Sequence, residues 1–553
     1  MQQPGKSAQF QQNSQTIVSL NPATGEIIGS FPAAGENECQ EAVSHGKKAG
    51  RNWQLTSLAE RKRLIYRSRE IILSEIDEIA ALISKETGKP ESEAIAMEIA
   101  PVLDLMRWAA DSVEKILEPK RINIGLYSLL GRKSEIIYRP LGLVLIIPAW
   151  NYPFSIPLGE AAMALLAGNA IIIKPSELTP SVGQKIGDIL HRGGFPTDVV
   201  QIIYGDGLTG SELVKAGPDK IMFTGSVATG KKILAASADK MTPAVLELGG
   251  KDAMIVFEDA NLDLAAQAAV WGAFCNAGQS CSSVERLYVH KSIASEITDK
   301  IIKLTKHLKI GAGDDQTTSI GSMSSARQLK VVLDHLEQFE KSGAEIIQGG
   351  QKPNPEAELP HSTNESLFLE PAVIISAENK HLPMQEETFG PTLPIATFET
   401  EEEAIRLAND SEFGLTASIW TADRRRARKV AERIEAGTIC INEVLYTHAI
   451  GQTPWGGVKS SGRGRTHGKE GFLELVQPIH LHTNWLPLLP DPWWMPYTPL
   501  ARKVFTLFAT KFASGSLLKT VSMLPDLLKR ILEIRKVYSA AQKEGLNSSD
   551  KNT

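Results

Sequence analysis

The chain has 553 residues, 42% hydrophobic and 22% charged, with a formal net charge of −5 and four cysteines. That length exceeds one ordinary hydrophobic core and predicts two or three globular domains. The acidic balance argues against nucleic-acid binding, and Cys39, Cys275, Cys281 and Cys440 lack the spacing of a disulfide framework or a zinc site, which fits a reducing, cytoplasmic setting without a metal. Residues 1–16 are glutamine-rich and polar with no apolar signal core, and predict a disordered lead-in. In residues 59–117, Leu64, Ile65, Ile71, Ile72, Ile76, Ile79 and Leu82 recur near helical spacing and predict packed helices. From residue 143, short apolar runs at 143–147, 170–174, 199–204, 220–223 and 244–247 alternate with helical segments, the pattern of a parallel sheet covered on both faces. Ligands bind such sheets beyond the C-terminal strand ends, so Asn151, Lys174, Gly225 and Glu247, which follow or close these strands, are expected on one rim. A second alternating segment, from 253 to about 451, should carry Cys281.

Residues 274–286 read FCNAGQSCSSVER and set Cys281 behind Gly278-Gln279-Ser280. Taken alone, Cys281 is either a buried structural cysteine or a nucleophile whose thiolate is stabilised by nearby N–H groups or a base. Glu247 closes an apolar strand that runs into Gly249-Gly250; it is either a salt-bridged strand-end acid or a general base raised by a dry pocket. Gly225-Ser226 starts a helix that leads through Gly230, where serine serves as an N-cap or the turn receives a phosphate. No GxGxxG follows the first strand of this sheet. Lys174 and Glu177 read as a solvated charge pair or as ribose contacts.

The Cys281 motif, Leu246-Glu247-Leu248-Gly249-Gly250-Lys251-Asp252, Trp150-Asn151-Tyr152-Pro153-Phe154 and Glu386-Glu387-Thr388-Phe389-Gly390-Pro391 together resemble the aldehyde dehydrogenase superfamily over roughly residues 17–482. The resemblance implies an α/β fold with a Rossmann-type NAD-binding domain in 17–131 and 140–248, a catalytic α/β domain in 249–471, and a small β oligomerisation element in 132–139 and 472–483. It implies Cys281 as nucleophile, Glu247 as the base that hydrolyses a thioester, and Asn151 as an oxyanion donor. Trp150, Lys174, Glu177, Gly225, Ser226, Gly230, Glu387 and Phe389 are implied around the cofactor. A carboxylate at Glu177 repels a 2′-phosphate, so NAD is favoured, with NADP the alternative.

Alanine precedes Trp150 where proline is usual, so the loop carrying Asn151 is expected to be looser; Ser322 also replaces a usual proline. Cys275 reads as a wall residue or an oxidative partner, and His448 as a hydrogen-bonded loop histidine or a group that polarises the substrate. The pocket is expected to draw on Trp150, Phe154, Trp271 and the loop 443–455, which contains no arginine to hold a second carboxylate. A medium or long aliphatic or aromatic aldehyde is therefore expected. The alternatives are a coenzyme A acylating or semialdehyde-specific relative, or an inactive scaffold that binds membranes. Segments 132–138 and 472–481 resemble oligomerisation strands, which implies a homodimer or homotetramer.

Beyond residue 483 an extension runs to 553, where ten Lys and Arg less five Asp and Glu leave +5. Leu500, Val504, Phe505, Phe508 and Phe512 share one helical face, and Leu517, Leu518, Val521, Leu524, Leu527, Leu528, Ile531 and Leu532 suggest a second amphipathic helix. Both are too short and too polar to span a bilayer, which leaves peripheral membrane contact or packing across an oligomer.

Overall fold

A computed structural model of the protein describes residues 16–353, 367–486 and 489–549. The expected lead-in lies outside the described residues except for Thr16, which opens the strand Thr16–Leu20, antiparallel to Ile27–Pro32. Two compact units divide the chain: Met1–Ile116 with Pro140–Gln477, and Leu117–Arg139 with Pro478–Thr553.

The first unit contains two large sheets. In the six-stranded sheet the order is Gly462–Arg463, Ala244–Glu247, Lys220–Thr224, Leu143–Ile147, Ala170–Ile173 and Val200–Ile202; all but the Gly462–Arg463 edge run parallel. Its central strands are apolar and buried from end to end, as covering helices on both faces require. The strand order reverses between Leu143–Ile147 and Lys220–Thr224, which opens a crevice at their C-terminal ends. The loop to Asn151 and the Gly225-Ser226 turn leave from those two ends.

The second sheet has seven strands in the order Glu345–Gln348, Ala372–Ile375, Thr392–Phe398, Val284–His290, Asp252–Val256, Thr416–Trp420 and Thr438–Ile441; all but the Glu345–Gln348 edge are parallel. Glu247 ends a strand of the first sheet and Asp252 begins a strand of the second, so Gly249-Gly250 joins the two. The expected helical region forms Leu58–Ser74, Ile76–Thr87, Glu91–Ala94 and Ala100–Ile116, with the π-helical turn Ile95–Ile99 between the last two. π-bulges of this kind recur at functional sites, and Ala96 and Met97 of this turn reach the site cavity.

The second unit contains the antiparallel sheet Val476–Asn484, Arg132–Pro140 and Lys120–Ile122 for most of its length. The strand expected over 472–481 therefore starts four residues later. Phe472 instead lies in the helix Gly468–Leu473, fully buried with its ring 6.0 Å from that of Trp108, because its apolar bulk is better removed from water in the core than on a sheet edge. The C-terminal extension forms Pro499–Leu507, a π turn Phe508–Phe512, Leu517–Val521 and the long helix Leu524–Ser549. The single helix expected over 517–532 is broken before Pro525, whose ring and missing N–H suit the first turn of a helix and disfavour its interior. Val504, Phe508, Phe512, Met523 and Leu527 form the small core of this unit. Arg530 is wholly buried and donates to the carbonyls of Pro492 (3.3 Å), Pro496 (2.7 Å) and Trp494, with an ion pair to Glu533. Among the described residues no helix is long and apolar enough to cross a membrane.

Candidate active site

Gly249 and Gly250 bring the chemically active side chains together by having no side chains themselves. A Cβ on Gly250 would lie 2.1 Å from the Cys281 carbonyl oxygen, and one on Gly249 would lie 2.3 Å from a Glu387 carboxyl oxygen. The Gly250 N–H donates to Glu387 Oε1 at 3.0 Å. Glu247, Cys281 and Glu387 are thus gathered around one double-glycine segment.

Glu247 is buried, and neither carboxyl oxygen has a hydrogen-bond partner among the described residues. Room for it is kept by Gly456, where a Cβ would stand 2.8 Å from Glu247 Oε1. Burial first and the Glu160 carboxyl second push its pKa well above the ordinary carboxylate range, with Arg465 opposing. Glu160, also buried, is itself raised to about 8 by desolvation. The salt-bridged strand-end alternative for Glu247 does not hold, since no cation pairs with it among the described residues.

Cys281 is partly exposed, whereas Cys39, Cys275 and Cys440 are buried. Its thiol pKa is pushed up, by burial first and then by Asp252, Glu387 and Glu247. The expected stabilised thiolate is therefore not built into the surroundings in this state. Asp252 and Glu387 are each raised to about 8, so near neutrality these carboxyls are largely protonated and their repulsion of a thiolate is reduced.

The approach to Cys281 is strained. Asn276 (φ 54°), Ala277 (φ 53°) and Gly278 (φ 71°) are three successive left-handed residues, two of them not glycine. Hydrogen bonds over-determine that conformation. The Glu93 carboxylate accepts the Asn276 N–H (3.0 Å), and Asn276 Nδ2 donates to the carbonyls of Asn151 and Gln279 (both 3.1 Å). Gln279, wholly buried, donates from Nε2 to the Asn276 carbonyl (3.0 Å) and accepts the Ser324 N–H (2.9 Å).

Asn151 is held equally firmly. Its Nδ2 donates to the Gln279 carbonyl at 3.0 Å, and its own carbonyl accepts from Lys89 Nζ at 2.7 Å. Lys89 is paired with Glu98 at 2.6 Å, both side chains fully buried, and the other Glu98 oxygen accepts the N–H groups of Phe154 (2.8 Å) and Ser155 (3.2 Å). The looser loop expected from alanine before Trp150 is corrected by this clamp: a buried ion pair replaces the restriction that proline would have supplied.

Across the double glycine, Trp150 and Phe389 meet edge to face with ring centroids 5.5 Å apart. Phe389 is held at φ 53° because the Glu285 carboxylate accepts its N–H (2.9 Å) and that of Thr388 (2.8 Å), while Lys251 pairs with Glu285 at 2.6 Å. Ser226 caps the helix Val227–Ser237, its hydroxyl accepting the Thr229 N–H at 3.3 Å. Gly225 donates to the Glu247 carbonyl (3.0 Å), and Gly230 is small because a Cβ there would meet Leu248 at 2.7 Å. Lys174 is buried, donating to the carbonyls of Gly205 (2.8 Å) and Pro175 (3.0 Å), while Glu177 is exposed. The simple charge pair read from the sequence is therefore two groups in different environments.

Cys281 and Glu247 share a cavity of about 300 Å³ with Met97, Tyr152, Glu160, Trp271 and Trp455 among its walls. Trp271 and members of the loop 443–455 line it as expected; Phe154 and Trp150 do not, Phe154 being fully buried and anchored through its N–H to Glu98. Sequence reasoning missed Met97, Glu160 and His467. Met97 belonged to a stretch read as packing helix, while Glu160 sits in a wholly buried helix, Ser155–Ala167, where an unpaired acid was the available signal. His448, half-buried, and His467, buried, lie 4.6 Å apart between ring centroids; desolvation lowers His448 to about 4 and holds His467 well below the ordinary imidazole range, so both are neutral near pH 7.

The aldehyde dehydrogenase family profile matches residues 10–480. A 4,4'-diapolycopene aldehyde oxidase of Methylomonas sp is 38% identical over 483 residues, 87% of this chain and 88% of the relative. A betaine aldehyde dehydrogenase from Staphylococcus aureus, solved in complex with NAD+, superposes with a TM-score of 0.81 at 31% identity, covering 88% of this chain and 97% of that one. An NADP-dependent enzyme of E. coli has a TM-score of 0.80 at 29% identity over 86% and 95% of the two chains. The chain belongs to the aldehyde dehydrogenase family and has its α/β fold. It is an NAD(P)-dependent oxidoreductase that converts an aldehyde to the acid.

Replacing Gly250 by alanine should destabilise the protein by about 3 kcal/mol or more, because the added carbon meets backbone that cannot swing aside. Thermal denaturation of Gly250→Ala checks this, and an unchanged midpoint contradicts it. A base role for Glu247 would require its carboxylate, so on that role the rate should rise with pH through its elevated pKa. Glu160→Gln removes the neighbouring charge and should move that rising limb to lower pH; a limb that stays in place or moves upward contradicts the coupling.

Proposed function

We propose that this enzyme oxidises a medium- or long-chain aliphatic or aromatic aldehyde with NAD, using Cys281 as nucleophile, Glu247 as hydrolytic base and Asn151 as oxyanion donor. The observation that carries this reading is the shared cavity, in which the active cysteine and an unpaired acid face Met97, Ile156, Trp271, Leu445 and Trp455 with no Arg or Lys among the described lining residues. Such a wall favours an apolar chain over the second carboxylate of a semialdehyde.

Cys281 gives up its thiol proton to solvent as Sγ adds to the aldehyde carbon, and the resulting oxyanion is stabilised by the second Asn151 Nδ2 hydrogen and the Cys281 N–H. NAD, when bound, supplies the acceptor for the hydride that leaves as the carbonyl re-forms, so an acyl group remains on sulfur. Glu247 takes a proton from water as the water oxygen joins the acyl carbon; the C–S bond then breaks, releasing the acid and returning the thiol. A raised pKa makes the Glu247 carboxylate a stronger base than an exposed one, and its lack of partners leaves both oxygens available to water. This unpaired acid supports hydrolysis over transfer to coenzyme A, and the intact set of three disfavours an inactive scaffold.

The dinucleotide fits the residues of the other rim. Gly225, Ser226 and Gly230 start a helix whose free N–H groups and dipole suit a phosphate. Lys174 and Glu177 would meet the adenosine ribose, Glu387 the second ribose, and Trp150 with Phe389 the nicotinamide. The exposed Glu177 carboxylate opposes a 2′-phosphate and favours NAD over NADP. On this reading residues 17–131 and 140–248 bind nucleotide and 249–471 form the catalytic domain. Homodimer or homotetramer formation through the segments 132–139 and 472–483 is supported by the free edge of the strand Val476–Asn484. We also infer peripheral membrane contact by residues 484–553, supported by their +5 balance and exposed tryptophans Trp493 and Trp494.

Aliphatic, aromatic, semialdehyde and betaine aldehydes assayed side by side with NAD and NADP test the substrate reading. The highest kcat/KM should fall on an apolar aldehyde with NAD. A preference for betaine aldehyde would instead assign Glu160 and the aromatic walls to a cation, which its elevated pKa disfavours. With the best substrate, Cys281→Ala should abolish turnover and Cys275→Ala should not. Glu247→Gln should give a burst of NADH near one equivalent per site and then stall. Sustained turnover without a burst would remove Glu247 from deacylation.

A further inference from the structure

The long C-terminal helix Leu524–Ser549 carries two apolar stripes. One, with Leu527, Arg530, Ile531 and Ile534, turns inward, and Leu527 and Ile531 pack against the core of Val504, Phe508 and Phe512. The other recurs at every fourth residue and faces solvent: Leu524 is 46% exposed, Leu528 58% and Leu532 56%. Leu517, Leu518 and Val521 of the preceding short helix add further exposed apolar side chains, with Leu518 at 85%. An ordinary surface helix keeps one apolar stripe and covers it. This helix buries one and leaves the other open.

The charges are sorted to match. The acids Asp526 and Glu533 are engaged within the unit, Asp526 with Lys503 at 2.8 Å and Glu533 with buried Arg530 at 2.6 Å. Lys519, Lys529, Arg535 and Lys536 are exposed and form no ion pair among the described residues. The outward stripe is therefore accompanied by unneutralised cations. A second copy seated on the same face by two-fold symmetry would set these like charges opposite one another, whereas an anionic lipid surface takes up both the leucines and the cations.

We propose that the outward stripe, Leu517, Leu518, Val521, Leu524, Leu528 and Leu532, docks in the plane of an anionic lipid surface, with Lys519, Lys529, Arg535 and Lys536 among the headgroups. This names the docking face and the lipid class, and it rests on the peripheral membrane contact proposed above. The helix lies on the membrane and does not cross it, in keeping with its length and polarity. An apolar aldehyde dissolved in that membrane would then be held at high local concentration near the enzyme.

The test is flotation of the full chain with vesicles of phosphatidylcholine alone and of phosphatidylcholine mixed with phosphatidylglycerol. The intact protein should float with the anionic vesicles alone and should release as salt is raised. The triple variant Leu524→Ser, Leu528→Ser, Leu532→Ser and the charge variant Lys519→Glu, Lys529→Glu, Lys536→Glu should each bind about a hundredfold more weakly. Both should keep the oligomer size and the turnover of a short water-soluble aldehyde. If both variants float as well as the intact chain, this face is not the docking face although membrane contact survives; if the intact chain floats with neither vesicle, membrane contact itself fails. A fall in oligomer size in the triple variant, with flotation unchanged, would assign the stripe to a second copy and overturn the proposal.

Discussion

The contact on which the site depends is that between Gly250 and the carbonyl oxygen of Cys281. Backbone can approach backbone that closely where no Cβ intervenes, and with the atom added the separation would be 2.1 Å. Glu247 ends a strand of one sheet and the cysteine loop leads into the central strand Val284–His290 of the other. The two sheets are joined by four residues, Leu248 to Lys251, and the double glycine lets that short link pass beneath the cysteine. Glu387 enters from a third segment and is fixed by the N–H of the same glycine. Three motifs distant in sequence thus meet on one piece of main chain.

Two buried ion pairs hold the loops that surround this contact. Lys89 with Glu98 secures the Asn151 loop, and Lys251 with Glu285 secures the Thr388-Phe389 loop. Burying four charges costs desolvation that their mutual attraction offsets only with good geometry and further hydrogen bonds. Those bonds are present, and all but that from Lys251 Nζ to the Thr388 hydroxyl go to main-chain groups of a functional loop. Their value lies less in net stability than in the single conformation that they impose, including the left-handed Phe389.

Four buried acids, two of them in the cavity wall, lie in surroundings that favour their protonated forms. Burial raises Glu247, Glu160, Glu387 and Asp252, with Glu160 adding to the rise of Glu247, and Glu285 then Asp252 to that of Glu387. The same field raises the Cys281 thiol, so nucleophile and base are coupled through their charges as well as through the reaction. Neutral histidines His448 and His467 complete a wall that offers polar atoms without fixed charge.

Much of the fold was legible from local pattern. Apolar runs with turn signals marked the parallel strands of the first sheet, since a strand covered on both faces has no polar side to show. Cys281 and Glu247 stood out as reactive residues in motifs of small or apolar neighbours, whereas Asn151 and Glu387 were marked by the resemblance of their motifs to the aldehyde dehydrogenase family. What the sequence did not disclose were contacts between distant segments: Lys89 beneath Asn151, Glu160 beside Glu247, Met97 in the cavity wall and Phe154 withdrawn from it. The same holds for Phe472, which left its expected strand for a helix facing Trp108, and for the helix start at Pro525. Sequence periodicity determined which faces are apolar, because side-chain period follows backbone geometry. Tertiary structure alone decided which of those faces is covered, which acid is left unpaired and which helix stripe remains open, because burial depends on what the rest of the chain brings against each residue.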